Sequence, residues 1–107
     1  TAARADRAPS AVRIVTPIYT RDAKRQNIRA EIVVEVLVND RGRVLTTRIV
    51  ERYLLSKDGT EREVVSAIGY GLEDSALTAA KNHTFRAAWE NGKRVQSYTT
   101  VTFKFGF

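Results

Sequence analysis

The chain has 107 residues, 43% of them hydrophobic and 28% charged, which fits one small globular domain and excludes a disordered chain. It contains no cysteine. Disulfide frameworks, zinc ribbons, thiol catalysis and iron–sulfur centres are therefore excluded. The net charge of +6 is unevenly spread: Thr1 to Arg29 holds seven basic residues against Asp6 and Asp22, while the rest of the chain is nearly balanced. A uniform nucleic-acid-binding face would not show that distribution; a basic leader near a membrane or a charged partner would.

No stretch approaches the ~18 consecutive apolar residues of a membrane span. Residues 1–11 are small, charged and aperiodic, and are expected to be a flexible basic arm or linker, with the domain over 12–107. Val12 to Val15 is a short apolar run stopped by Pro17. Thr20 suits the N-cap of a short helix through Asn27, in which only Ala23 can pack.

Ile32, Val34, Val36 and Val38 alternate with Glu31, Val33, Glu35 and Leu37, the period of a strand with one fully apolar face. Asn39-Asp40-Arg41-Gly42 is a turn, and Arg43 to about Val50 is a second β-branched run, so a hairpin is expected. Between residues 56 and 71 the pattern supports two readings. Thr60 and Glu63 make a capping box for a one- to two-turn helix closed by Gly69, and Asp58-Gly59 could instead be the pivot of a second hairpin. Leu72 to Asn82 reads as a helix, with Glu73 and Asp74 in its first turn and Lys81 in its last. Its Leu72, Ala76, Ala79, Ala80 and His83 share one side. Asn91-Gly92 is a tight turn. Beyond it Val95, Ser97, Thr99, Val101, Phe103, Phe105 and Phe107 alternate with polar positions, predicting one long terminal strand with an aromatic core face. The expected core gathers Val34, Val36, Leu77, Ala80, Phe85, Val101 and Phe103.

Chemistry has few candidates. His83 is the single histidine, and no cysteine or second histidine exists to complete a catalytic or metal-binding set. Glu61 and Glu63 sit in the capping turn and Glu73 and Asp74 at a helix start, so capping accounts for both carboxylate pairs without general acid–base work. No G-x-S-x-G elbow, P-loop or dinucleotide fingerprint is present. An enzyme, a cofactor and a metal are not expected. Tyr53, Tyr70, Trp89 and Tyr98 are not interleaved with the N-terminal arginines, so no nucleic-acid partner is expected either. What stands out is the last strand. A small sheet leaves an edge open, and an open edge accepts another chain as an added strand.

The chain resembles the C-terminal domain of the TonB family of energy transducers over about Thr16 to Phe107. The resemblance is carried by Pro17-Ile18-Tyr19 followed by Asp22-Ala23-Lys24-Arg25, and by Ile28 to Val38 leading into Arg41-Gly42-Arg43-Val44. It continues through Leu72-Glu73-Asp74-Ser75-Ala76-Leu77 with Ala80, Phe85 to Ala88, Asn91-Gly92-Lys93 with Val95, and Val101 to Phe105. The chain departs from the family pattern at Thr16 (often Gln), Thr20 (usually Pro), His83 (usually Trp) and Ala87 (usually Pro), and in an insertion over about 56–71. The resemblance implies an α+β, two-layer domain: a three-stranded antiparallel sheet packed by one main helix plus a short N-terminal helix. It implies a periplasmic location in a Gram-negative-type envelope, with a membrane tether outside this chain. The implied partners are an outer-membrane TonB-dependent transporter and an inner-membrane ExbB/ExbD-like complex. The transporter's short segment, the TonB box, would add beside the last strand. The implied partner-binding residues are Val95, Gln96, Ser97, Tyr98, Thr99, Thr100, Val101, Thr102 and Phe103, with Thr16, Pro17 and Tyr19. The alternative is a non-catalytic accessory subunit of an envelope membrane complex built on the same fold.

Overall fold

The computed structural model describes residues 7–107. Its elements are β1 (Ser10–Arg13), α1 (Arg21–Arg25), β2 (Ala30–Val38), β3 (Val44–Leu55), β4 (Arg62–Val64), α2 (Leu72–Lys81), β5 (Thr84–Arg86), β6 (Ala88–Glu90), β7 (Lys93–Val95) and β8 (Ser97–Phe105). The architecture is α+β. β2 is the centre of the main sheet, and its alternation is complete: Ala30, Ile32, Val34, Val36 and Val38 are all fully buried. α2 lies over that face and buries Leu72, Ala76, Ala79 and Ala80. Alanine on the contact face lets helix and sheet approach closely. Phe85, Phe103 and Phe105 fill the rest of this core, while Leu77 and Val101 are only partly buried against it.

The main sheet has four strands, in the order β4-β3-β2-β8, all antiparallel, where three were expected. The extra strand is the insertion. Asp58 Oδ1 accepts from Ser56 Oγ at 2.7 Å, from the Thr60 N–H at 3.0 Å and from Thr60 Oγ at 2.8 Å. These bonds, Ser56 first, hold the Asp58 carboxyl down at about 2. Thr60 is thereby committed to a turn rather than to a helix cap, and β3 is long enough to pair Tyr53 with Val64. Of the two readings open for this segment, the hairpin is the one that forms.

α2 starts without a side-chain cap from Gly71. Glu73 supplies the missing acceptor by reaching back to the N–H groups of Ile68 (2.7 Å) and Gly69 (3.0 Å), and it pairs with Arg52 Nε at 3.2 Å. Burial alone would raise this carboxyl, but the two N–H donors and Arg52 outweigh it and hold it below the usual carboxylate range.

Residues 7–11 do not form a free arm. Arg7 and Trp89 exchange two backbone hydrogen bonds (3.1 and 3.0 Å), and Ser10 and Ala11 pair with Arg86 and Phe85. Residues 1–6 of the expected arm lie outside the described residues. The expected long terminal strand is also interrupted. Asn91 (φ 51°) and Gly92 (φ 75°) fold β7 back on β6, and β8 begins only after Gln96. At the other end Gly106 (φ 90°) turns the chain, so Phe107 leaves the core face and stands 68% exposed beside Arg29. A Cβ on Gly106 would stand 2.7 Å from the Ile28 carbonyl oxygen, so glycine is required at that approach.

Candidate strand-docking edge

A central strand sends its backbone groups alternately to its two neighbours, so one hydrogen bond fixes the parity of the sheet. The Leu55 N–H donates to the Arg29 carbonyl at 2.8 Å. Odd-numbered residues of β2 therefore face β3, and even-numbered ones face β8. The register pairs Ala30 with Phe105, Ile32 with Phe103, Val34 with Val101, Val36 with Thr99 and Val38 with Ser97. Those odd residues of β8 spend their N–H and C=O groups on β2. Tyr98, Thr100, Thr102 and Lys104 direct theirs to the outside, where no strand pairs with β8 among the described residues. The side chains of the same four residues are exposed on the face away from α2.

The segment Ile14–Tyr19 runs alongside this edge. Ile14, Val15, Thr16 and Pro17 line a groove of about 400 Å³ together with Thr99 to Phe103. A second cleft of about 370 Å³ continues it, where Thr16, Pro17 and Tyr19 face Lys104 to Phe107. The segment is pinned at several points. Ser75 Oγ donates to the Ile18 carbonyl (2.5 Å), Tyr19 Oη to the Ile28 carbonyl (2.7 Å), and Thr20 Oγ to the Tyr70 carbonyl (2.6 Å). Thr20 also caps α1 by accepting from the Ala23 N–H at 3.2 Å. The groove wall is thus tied to α2 and to the residues just before it. Ile14 and Ile18 remain 71% and 75% exposed, an apolar margin beside an unpaired edge.

His83 lies in the floor of the groove, almost wholly buried. Its Nδ1 stands 2.7 Å from the Ala79 carbonyl oxygen and 3.5 Å from the Val15 backbone nitrogen. Nε2 has no partner among the described residues, and Phe103 meets the ring edge to face at 5.6 Å. It forms no ion pair among the described residues. Among the described residues no three His, Asp or Glu side chains converge as a metal site.

The structure brings Thr16, Pro17 and Tyr19 against β8, with residues Ser97, Tyr98, Thr99, Thr100, Val101, Thr102 and Phe103 along the strand. It does not place Val95 and Gln96 on this edge: Val95 pairs with Ala88 in β7, and Gln96 lies in the break before β8. Sequence reasoning missed Lys104, Phe105 and Phe107 at the far cleft and Ile14 and Val15 in the groove wall. The alternation already ran through Phe107, so the strand's far end carried a signal; the wall depends on chain packing and carried none. The arrangement offers an extended chain four residues' worth of backbone donors and acceptors, with an apolar groove beside them.

No family model matches the sequence, and no curated protein matches it. The fold does match the solution NMR structure of the Pseudomonas aeruginosa TonB C-terminal domain, with a TM-score of 0.63 and 20% identity over 95% of this chain and 89% of that one. The four-stranded sheet, its covering helix and the last strand at the sheet's edge are thus set in a fold like that of a TonB C-terminal domain.

Proposed function

We propose that this chain is the periplasmic protein-binding domain of a TonB-like energy transducer, and that it takes an extended segment of an outer-membrane transporter as an added strand beside β8. The observation that carries this reading is the unpaired outer half of β8, with its groove walled by Thr16 and Pro17. Backbone hydrogen bonds to Tyr98, Thr100, Thr102 and Lys104 supply most of the recognition, and the groove selects apolar side chains at alternate positions. The inner-membrane ExbB/ExbD-like complex is reached through a tether outside this chain.

A second reading, an accessory subunit fixed in an envelope complex, draws on β4. This short edge strand is exposed along its length, with Val64 76% exposed.

Amide hydrogen exchange with a synthetic TonB-box peptide separates the two readings. In the free domain the amides of Tyr98, Thr100, Thr102 and Lys104 exchange fast and those of Thr99, Val101 and Phe103 slowly. With peptide the even set becomes protected. Thr100→Pro removes an outward donor and abolishes binding in a folded domain, whereas Thr99→Pro removes a bond to β2 and destabilises the fold. Unchanged peptide binding by a folded Thr100→Pro variant refutes docking at this edge.

A further inference from the structure

Four of the chain's basic residues converge on one site away from the β8 groove. Arg7, Arg41, Arg86 and Arg94 surround a concave site of about 430 Å³, with Trp89 as a wall and Asp40 as the one acidic side chain lining it among the described residues. All four arginines are exposed. Arg7, Arg41 and Arg86 form no ion pair among the described residues, and Arg94 lies over the Trp89 ring at 5.9 Å. Among the described residues, four guanidinium groups against one carboxylate leave an excess of three positive charges in the cup.

The backbone carrying these arginines is fixed by strand pairing and, at Arg41, by a docked turn. Arg7 and Arg94 are the cross-strand neighbours of Trp89 on either side, so all three side chains emerge on one face. Arg86 pairs with Ser10 in β5. Arg41 belongs to the β2–β3 turn, where Asn39 Oδ1 accepts from its N–H at 2.9 Å. That turn is docked on β5, because the Phe85 N–H donates to the Gly42 carbonyl at 2.8 Å. Three separate parts of the chain are thereby held with their cations facing one cup. Like charges so gathered repel, and nothing in the described fold beyond Asp40 offsets them.

We propose that this cup is a binding site for a phosphate group, best filled by a diphosphate or by closely spaced phosphate esters. Guanidinium forks match phosphate oxygens two at a time, and several forks can share one group. The charge of a diphosphate nearly cancels the excess in the cup. A concave site suits a discrete anionic group rather than a flat charged surface. The site lies apart from the β8 groove, with which it shares only Phe85, so it is independent of strand docking.

Trp89 is the chain's single tryptophan, so its emission reports on this cup directly. Inorganic pyrophosphate, titrated into the full chain at ~0.1 M ionic strength to screen long-range attraction, should change Trp89 emission saturably. Inorganic phosphate should bind more weakly. Arg86→Gln and Arg41→Gln should each weaken pyrophosphate about tenfold, as expected for loss of a charged fork. Arg25→Gln, which removes the same charge from α1, should leave affinity unchanged. A second arm measures cosedimentation with phosphatidylglycerol vesicles. Pyrophosphate binding together with vesicle binding that depends on Arg86 assigns the phosphate to a lipid headgroup; pyrophosphate binding alone assigns it to a soluble phosphate ester. No saturable response, equal binding by all three variants, or vesicle binding without pyrophosphate binding overturns the proposal.

Discussion

Removing the Phe103 ring tests the face assignment on which the docking edge depends. Phe103 is 5% exposed, pairs across the sheet with Ile32, and lies nearly perpendicular to the His83 ring. Truncation of a buried phenylalanine costs about 3–5 kcal/mol, from lost transfer energy plus the cavity left behind. Here the cavity would open beside the groove, and a water entering it could serve the unpaired Nε2 of His83. That compensation places Phe103→Ala at the lower end, about 3 kcal/mol. For a domain of this size each kcal/mol moves the melting temperature by roughly 4–8 °C, so a fall of about 12–24 °C is expected. Thr102, the next residue, has its side chain on the exposed face, and Thr102→Ala should stay within about 0.5 kcal/mol. Thermal and urea melts of the two variants decide the matter. If Phe103→Ala melts within a few degrees of the parent, or Thr102→Ala matches it, then odd residues do not face the core. The outward assignment of Tyr98, Thr100, Thr102 and Lys104 would fall with it.

Gly42→Ala would set a Cβ 1.8 Å from the Phe85 carbonyl oxygen at a φ of +81°, so the turn must lift off β5. A loss of about 3 kcal/mol or more is expected in urea melts, against about 1 for Gly69→Ala, which has a similar φ and open space. Glu73→Gln should lose about 1–2 kcal/mol at neutral pH. Because the folded Glu73 carboxyl is held below its ordinary 4.5, its contribution is complete above that value and fades as pH falls through the folded one. The gap to the parent should therefore close in acid, and a gap constant with pH would refute the assigned role. A chain starting at Val12 loses both Arg7–Trp89 hydrogen bonds and the Ser10 and Ala11 pairings. It should be less stable by about 1–3 kcal/mol; melting like the full chain would show that this pairing contributes nothing.

Where local chemistry and periodicity agree, the sequence alone determined the outcome. β2 alternates because a strand has two faces and a single helix covers one of them, and the apolar half of its residues says which. The helix over Leu72–Lys81 follows from its alanine face and its charge order, and the exposed and inward faces of β8 from Thr99, Val101 and Phe103 against Thr100 and Thr102. The tertiary structure decided what depends on partners distant in the chain. The turn at Asp58 and a capping box at Thr60 both satisfy the same local groups. The hairpin forms because β3 runs on to Leu55 and offers β4 a ladder that a helix could not use. Residues 7–11 carry no period, yet they pair because β5 and β6 present unpaired backbone some 75 residues later in the chain. The side of β8 that is free is likewise invisible in its own residues. It follows from the Leu55–Arg29 hydrogen bond two strands away, since each strand of a sheet passes its parity to the next. Periodicity says which side chains are buried; which backbone groups remain for a partner is a property of the assembled sheet.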